Sequence, residues 1–309
     1  MIRAVWQLRL GRICIVVLTL IALLGILGPM LAPYGPNDQD VAVMLQGPSA
    51  AHWLGTDDLG RDVLSRLLAG STLSLVAALE AVGIGLVLGV LPGLLSMVFG
   101  RIFEWVSLRV MDALITLPFM VFAVAMTALL GNGLHQAMFA VGLLVAPAFY
   151  RITRAAAMTV IGSSFVEAAR LTGLSELAVI RRHVWPKVAP AIAVTTASML
   201  GTGLVVVSSL TFLGIGIVPP EPTWGGMMAT DLNFLYQKPW GPLVPAALII
   251  ITVAALSGLA DALRDATGQS GRSLISARRA KQARAKAARN AGGPVAPAGR
   301  PDDRSTVDA

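Results

Sequence analysis

Charge is scarce in this sequence: Asp, Glu, Lys and Arg together make up 13% of 309 residues, about half the share usual in soluble globular domains. Cysteine occurs once, as Cys14, which excludes an intrachain disulfide and a cysteine-based metal cluster. The histidines, His52, His135 and His183, are scattered over separate segments with none four residues from another, so a histidine metal site is not expected. Neither a G-x-S-x-G elbow nor a G-x-x-x-x-G-K-[ST] loop occurs, which excludes the common serine hydrolase nucleophile and a nucleotide-binding P-loop.

What the chain has instead is apolar length. Hydrophobic residues make up 55% of it, and they gather in runs at 13–32, 73–99, 110–130, 137–150, 191–213 and 243–263, each read as a bilayer-crossing helix. The fold class is therefore an all-α polytopic membrane protein with six transmembrane helices. The first run is longer than a signal-peptide core, and Pro33-Tyr34-Gly35-Pro36 makes a poor cleavage site, so it reads as a retained anchor. Of the Lys and Arg residues, all but Arg61, Arg66 and Lys238 fall on one side of such a chain. The positive-inside rule then places both termini and the loop 151–187 in the cytoplasm.

This divides the chain into a cytoplasmic start (1–12), an anchor (13–32), an extracytoplasmic segment (33–71), a five-helix core (72–268) and a basic tail (269–309). In the extracytoplasmic segment, Thr56 or Asp57 is placed to cap a short surface helix with Leu59, Val63 and Leu67 on one face. In the tail, 276–290 is rich in Ala, Arg and Lys and reads as a solvated basic helix against anionic lipid. Gly, Pro and Asp dominate beyond it, and disorder is expected there. The net charge of +7 comes from residues between and after apolar runs, which points to topology and lipid rather than nucleic acid.

The longest polar interruption is 163–190, SSFVEAARLTGLSELAVIRRHVWPKVAP. Ser164 and Glu167 have capping-box spacing. The helix they open is expected to stop at Gly173, which takes a left-handed end readily. Ser175 and Glu176 open a second short helix, whose last turn holds Arg181, Arg182 and His183 and which Pro186 is expected to end.

The same stretch resembles the "EAA" signature of binding-protein-dependent ABC importer permeases, through Glu167-Ala168-Ala169, Gly173 and Pro186. Two further segments, Leu54-Gly55-Thr56-Asp57-Asp58-Leu59-Gly60-Arg61-Asp62-Val63-Leu64-Ser65-Arg66 and Phe212-Leu213-Gly214-Ile215-Gly216-Ile217-Val218-Pro219-Pro220-Glu221-Pro222-Thr223-Trp224-Gly225, are similar to the C-type permease subunits of dipeptide, oligopeptide and nickel importers. The resemblance implies a type I importer fold in a bacterial inner membrane. It implies a homologous permease partner, two cytoplasmic ATPases that hold ATP and Mg, an extracytoplasmic solute-binding protein, and no cofactor on this chain. By it, Glu167, Ala168, Ala169, Arg170, Gly173, Leu174 and Pro186 would couple to the ATPases, and Pro220, Pro222 and Trp224 would touch the binding protein. Trp185 stands where the family usually has leucine, Glu80 where it has an apolar residue, and Ser208 and Ser209 near a common carboxylate position.

Other residues admit two readings each. Gly85, Gly89 and Gly93 form a small-residue stripe for packing within the chain or against a partner permease. Glu80, inside the second run, lines a translocation path, binds a substrate amine or relays protons, or else is satisfied by backbone or by Ser71 and Ser74. Ser208 and Ser209 are the other path candidates. Asp112 is expected to pair locally with Arg109. Pro118 and Pro147 predict kinks, and Trp224 and Trp240 suit headgroup anchoring as well as protein contact. Two rival classes remain: a proton-coupled carrier built on Glu80, disfavoured by sparse intramembrane charge, and an intramembrane Ser/His enzyme, for which no pair is suggested at membrane depth.

Overall fold

The computed structural model describes residues 2–267. Over that range the chain is helical, with no β-strand among the described residues. A short α1 (Ile2–Gln7) leads into α2 (Arg9–Leu31), which beyond Arg12 is apolar apart from Thr19 and buries a narrow face of Gly11, Cys14, Ile21, Gly25 and Gly28. Gly28 rides on the backbone of Leu68, and Gly25 on the side chain of Leu75.

Both of those partners belong to α3 (Val63–Leu95), a 33-residue mast about 50 Å long at 1.5 Å per residue. The mast is packed by α2, by α6 (Leu134–Ile161) and by α9 (Trp185–Phe212). Its glycine stripe faces α6: a Cβ on Gly85 would lie 2.9 Å from the Gly142 carbonyl, and one on Gly93 3.1 Å from Thr153 Cβ. Lipid tails are as apolar as leucine, so helices associate here through close approach of small residues. The stripe therefore serves packing within the chain. Val82, Val141, Phe149 and Val188 fill the core around that seam.

Two expectations change. The segment 57–62 is a turn and not a surface helix: the Asp57 carboxylate accepts from the amides of Leu59 and Arg61, both at 2.9 Å, and Gly60 takes φ +74°. The helix starts after it, capped by Asp62, so Val63 and Leu67 are buried on the mast while Leu59 stays exposed. The run 110–130 is split into α4 (Gly100–Thr116) and α5 (Phe119–Leu130), which meet at 101°. Pro118 between them disfavours helix at the residue before it and supplies no amide. Pro147, by contrast, lies inside α6, which runs through it.

Beyond α6 come α7 (Ser164–Leu171), α8 (Glu176–Val179), a π-turn at Ile180–Val184 and α9. The described residues end with α10 (Trp224–Asn233) and α11 (Leu243–Ala266). Among the described residues, five helices are long and apolar enough to cross a membrane, or six if the bent α4–α5 pair counts as one span. The basic helix and the disordered end expected of the tail lie outside the described residues.

Candidate functional site

The helix ends of the EAA stretch are built differently from its capping-box spacing. Ser163, not Ser164, is the N-cap of α7, and no side chain caps the helix. The Ser163 hydroxyl turns back and donates to Val160 O at 2.5 Å. Because α6 ends two residues earlier, its last carbonyls lack partners, and that demand takes the hydroxyl. Gly173 does adopt the left-handed turn, at φ +81°. Nothing lies within 4 Å of where its Cβ would be, so the need for glycine is conformational and not steric. Ser175 caps α8, accepting from Ala178 N at 3.4 Å.

Arg170 and Glu176 face each other across that turn, Nη2 to Oε2 at 2.9 Å. Sequence reasoning assigned Arg170 elsewhere and missed this clamp, because spacing of six residues has no helical meaning without the corner between. The stretch is thus a closed hook. Val166 and Val179 are buried on its inner side, whereas Glu167, Ala168, Arg170, Gly173 and Pro186 are exposed and Ala169 and Leu174 half-buried. At the tip, Leu171 is 85% exposed.

Pro186 does not end a helix. It stands in the first turn of α9, and α8, the π-turn and α9 form one continuous 37-residue element from Glu176 to Phe212. The π-turn makes this possible: Trp185 N reaches back five residues to Ile180 O, and the widened turn relieves the clash a proline ring makes with the carbonyl four residues before it.

Where the mast crosses the membrane, Glu80 pairs with His135 Nδ1 at 2.8 Å. Ser71 and Ser74 are engaged elsewhere, so they do not satisfy it. His135 stands in the first turn of α6, not in a loop. An unpartnered carboxylate facing lipid is costly, and the imidazole supplies the partner. Asp112 likewise finds a distant partner: Arg151 of α6 at 2.9 Å, while Arg109 lies 5.7 Å from the centroid of the Trp105 ring. With the Glu104–Arg154 pair and a 2.9 Å hydrogen bond between Ser107 and Tyr150, Asp112 ties α4 to α6 by polar contacts. Of the adjacent serines near the end of α9, Ser209 donates to Val205 O at 2.8 Å, whereas the buried Ser208 hydroxyl has no partner. Both line an open pocket of about 350 Å³ with Phe212, Met228 and Ile249.

On the side opposite the hook, the three cations that topology set apart converge. Asp57 receives Arg61 Nε at 2.7 Å and lies 3.4 Å from Arg66 Nε. Arg66 also donates to Pro36 O at 2.8 Å, and His52 meets Asp62 at 2.9 Å. Lys238, 1% exposed, donates to Thr56 O at 3.1 Å and stands 3.9 Å from Asp231. Burial raises the pKa of Asp231, with Lys238 opposing, and lowers that of Lys238, with Asp231 opposing. Beside this knot Trp224 is 0% exposed: its amide donates to Ser74 Oγ at 3.0 Å and its indole to Ser71 Oγ at 3.2 Å. It is neither a headgroup anchor nor a surface for a second protein. Pro222 is buried with it, which leaves Pro220 exposed.

Among the described residues no group of His, Cys, Asp or Glu is arranged to hold a metal ion. A family model described as binding-protein-dependent transport system inner membrane component matches residues 82–270, and one described as the N-terminal TM domain of oligopeptide transport permease C matches 3–48. The di/tripeptide transport system permease protein DppC of Pseudomonas aeruginosa is 37% identical over 80% of this chain and 84% of that protein. The glutathione transport system permease protein GsiD of Escherichia coli is 36% identical over 80% and 82%. The fold is shared with the inward-facing MetNI methionine ABC transporter, with a TM-score of 0.52 and 19% identity over 65% of this chain and 96% of that one. Helix order, displayed hook and family match agree, and the chain belongs to the binding-protein-dependent transport system inner membrane component family.

Proposed function

We propose that this chain is one of two homologous membrane subunits of an ATP-driven importer of dipeptides or short oligopeptides. ATP and Mg are held, and ATP is hydrolysed, by two cytoplasmic partner subunits; a solute-binding protein delivers the peptide from outside. The site is a bacterial inner membrane, with both termini and the hook on the cytoplasmic side. The relatives named for di/tripeptide and glutathione transport support the substrate class, and the clustering of basic residues supports the orientation.

One observation carries the coupling role: an exposed, braced hook is continuous with a membrane helix. Glu167, Ala168 and Leu171 are displayed, and the Arg170–Glu176 clamp and the Gly173 turn hold α7 at a set angle to α8. Because α8 runs unbroken into α9, a pull on the hook tilts a rod about 55 Å long whose far end carries Ser208 and Ser209. A cavity wall would thereby move when the ATPases close, as alternating access requires. Ser208, Ser209 and Glu80 are assigned to the solute path, and the exposed Pro220 to contact with the binding protein.

The test is uptake by the assembled complex. Glu167→Ala or Gly173→Pro is expected to abolish most uptake while the chain still inserts and reaches the membrane in normal amount. Normal uptake by both variants would sink the coupling role. Copurification in mild detergent without P-loop ATPases would sink the importer itself.

A further inference from the structure

Glu80 differs from the other carboxylates of this chain in its position along its helix. It stands close to the midpoint of α3, about 25 Å from Val63 and about 22 Å from Leu95. Asp112, Glu104 and Glu176 pair near the basic side, and Asp57, Asp62 and Asp231 lie in the opposite knot. The partner of Glu80 is in the first turn of α6, so α6 starts level with the centre of the mast. The contacts of Gly85 with Gly142 and of Gly93 with Thr153 fix the same register.

The face of α3 that carries Glu80 is open. Val76 one turn above it, Gly83 just below it and Val87 beyond are exposed, and nothing lies within 4 Å of where a Cβ on Gly83 would be. His135 is 80% exposed and Glu80 24%. The chain beside them, 131–133, is not helical; Asn132 holds it by accepting from Gly216 N at 2.8 Å. A carboxylate and an exposed imidazole on one face at one level argue for water there, not lipid.

We infer that this face lines the aqueous solute path between the chain and its partner membrane subunit, and that Glu80 binds the free amino terminus of the peptide there, displacing His135. The inference rests on the peptide-importer reading above. A compact ammonium offers three donors, and its bond to a carboxylate is charge-assisted. His135 is exposed enough to leave without stranding a buried group. Gly83 leaves space beside the carboxylate for the first residue of a peptide. Together the pair forms a site that stays satisfied when empty and exchanges one partner for another when filled.

The test uses the whole transporter, with its ATPases and binding protein, in liposomes. Uptake of alanyl-alanine is compared with that of N-acetyl-alanyl-alanine. Glu80→Gln, nearly isosteric, is expected to lower the ratio of free to acetylated peptide uptake by at least about tenfold, with Glu80→Asp restoring part of it. An unchanged ratio, whether both rates hold or both fall, overturns the amine assignment. A wild-type complex that moves neither peptide overturns the peptide reading instead, and accessibility then decides the face. In a Cys14→Ala background, Glu80→Cys is expected to react with a membrane-impermeant methanethiosulfonate, while Ile26→Cys on the exposed side of α2 does not. A Glu80→Cys thiol as unreactive as the Ile26→Cys one overturns the placement on a water-filled path.

Discussion

The two sides of this chain use the same kinds of residue for opposite ends. In the knot around Asp57, the carboxylates and cations are nearly all buried, and most of them have more than one partner: Asp57 serves two backbone amides and two guanidiniums, and Arg66 reaches Pro36, Asn37 and Pro220. In the hook a single ion pair, Arg170–Glu176, spans the corner, and both its side chains are well exposed. Multiple buried partners make a lock, since no bond breaks without stranding another group. One exposed pair makes a brace that can open without stranding a buried group. The knot pins 36–62 and the Lys238 loop to the top of the mast; the hook stands free to be moved.

The sharpest break of that contrast is Asp57→Asn. It keeps the shape but leaves Arg61 and Arg66 buried without their shared anion, a change of about 3–5 kcal/mol where a buried pair loses one member. Thermal unfolding in detergent should show a large loss of stability, or little folded protein should be recovered. Wild-type stability would mean that water, not Asp57, carries those guanidiniums.

Gly173→Ala comes next. The left-handed backbone there costs a residue with a Cβ about 1–2 kcal/mol, yet the turn lies in open space. The hook is expected to fray or re-angle while the membrane core melts as before. Uptake should therefore fall further than stability does, the reverse of the Asp57 variant. Trp224→Phe is smaller again: it removes the indole bond to Ser71, worth about 0.5–1.5 kcal/mol, and unfolding should register it while uptake through the hook does not.

How legible these features were follows from the range of the interactions. The glycine stripe and the Gly173 turn are local or periodic, and each lies where the sequence places it; the apolar run 110–130 does not, because Pro118 breaks it into two helices. The knot was not legible, because Arg61, Arg66 and Lys238 come together only through the fold: Lys238 bonds to Thr56, far away in the chain. Taken singly, each cation looked like a topology marker. Glu80 had been offered two nearby serines, but the α3–α6 register brings up His135 and gives those serines to Trp224. Pro186 was read by the rule that proline stops helices, which holds for regular α-turns; a π-turn just before it lifts the prohibition. Trp224 followed the interfacial tendency of tryptophan, yet buried serines upstream supplied its polar partners.

The smallest expected change in stability is also the most discriminating. Arg170→Ala removes an exposed pair worth at most about 1 kcal/mol, so the melting temperature in detergent should barely move. The Gly173 turn remains, and α7 keeps its length. What is lost is the tie across the corner, so that α7 can swing relative to α8 before any pull reaches α9. Uptake should then drop severalfold while ATP is still hydrolysed, because the motor turns over against a slack linkage. Arg170→Lys, which can still reach Glu176 but not with a planar fork, should recover part of the loss. If Arg170→Ala instead abolishes copurification of the ATPases, the guanidinium is a docking contact rather than a brace, and the hook's stiffness must come from Gly173 and the buried Val166 and Val179 alone.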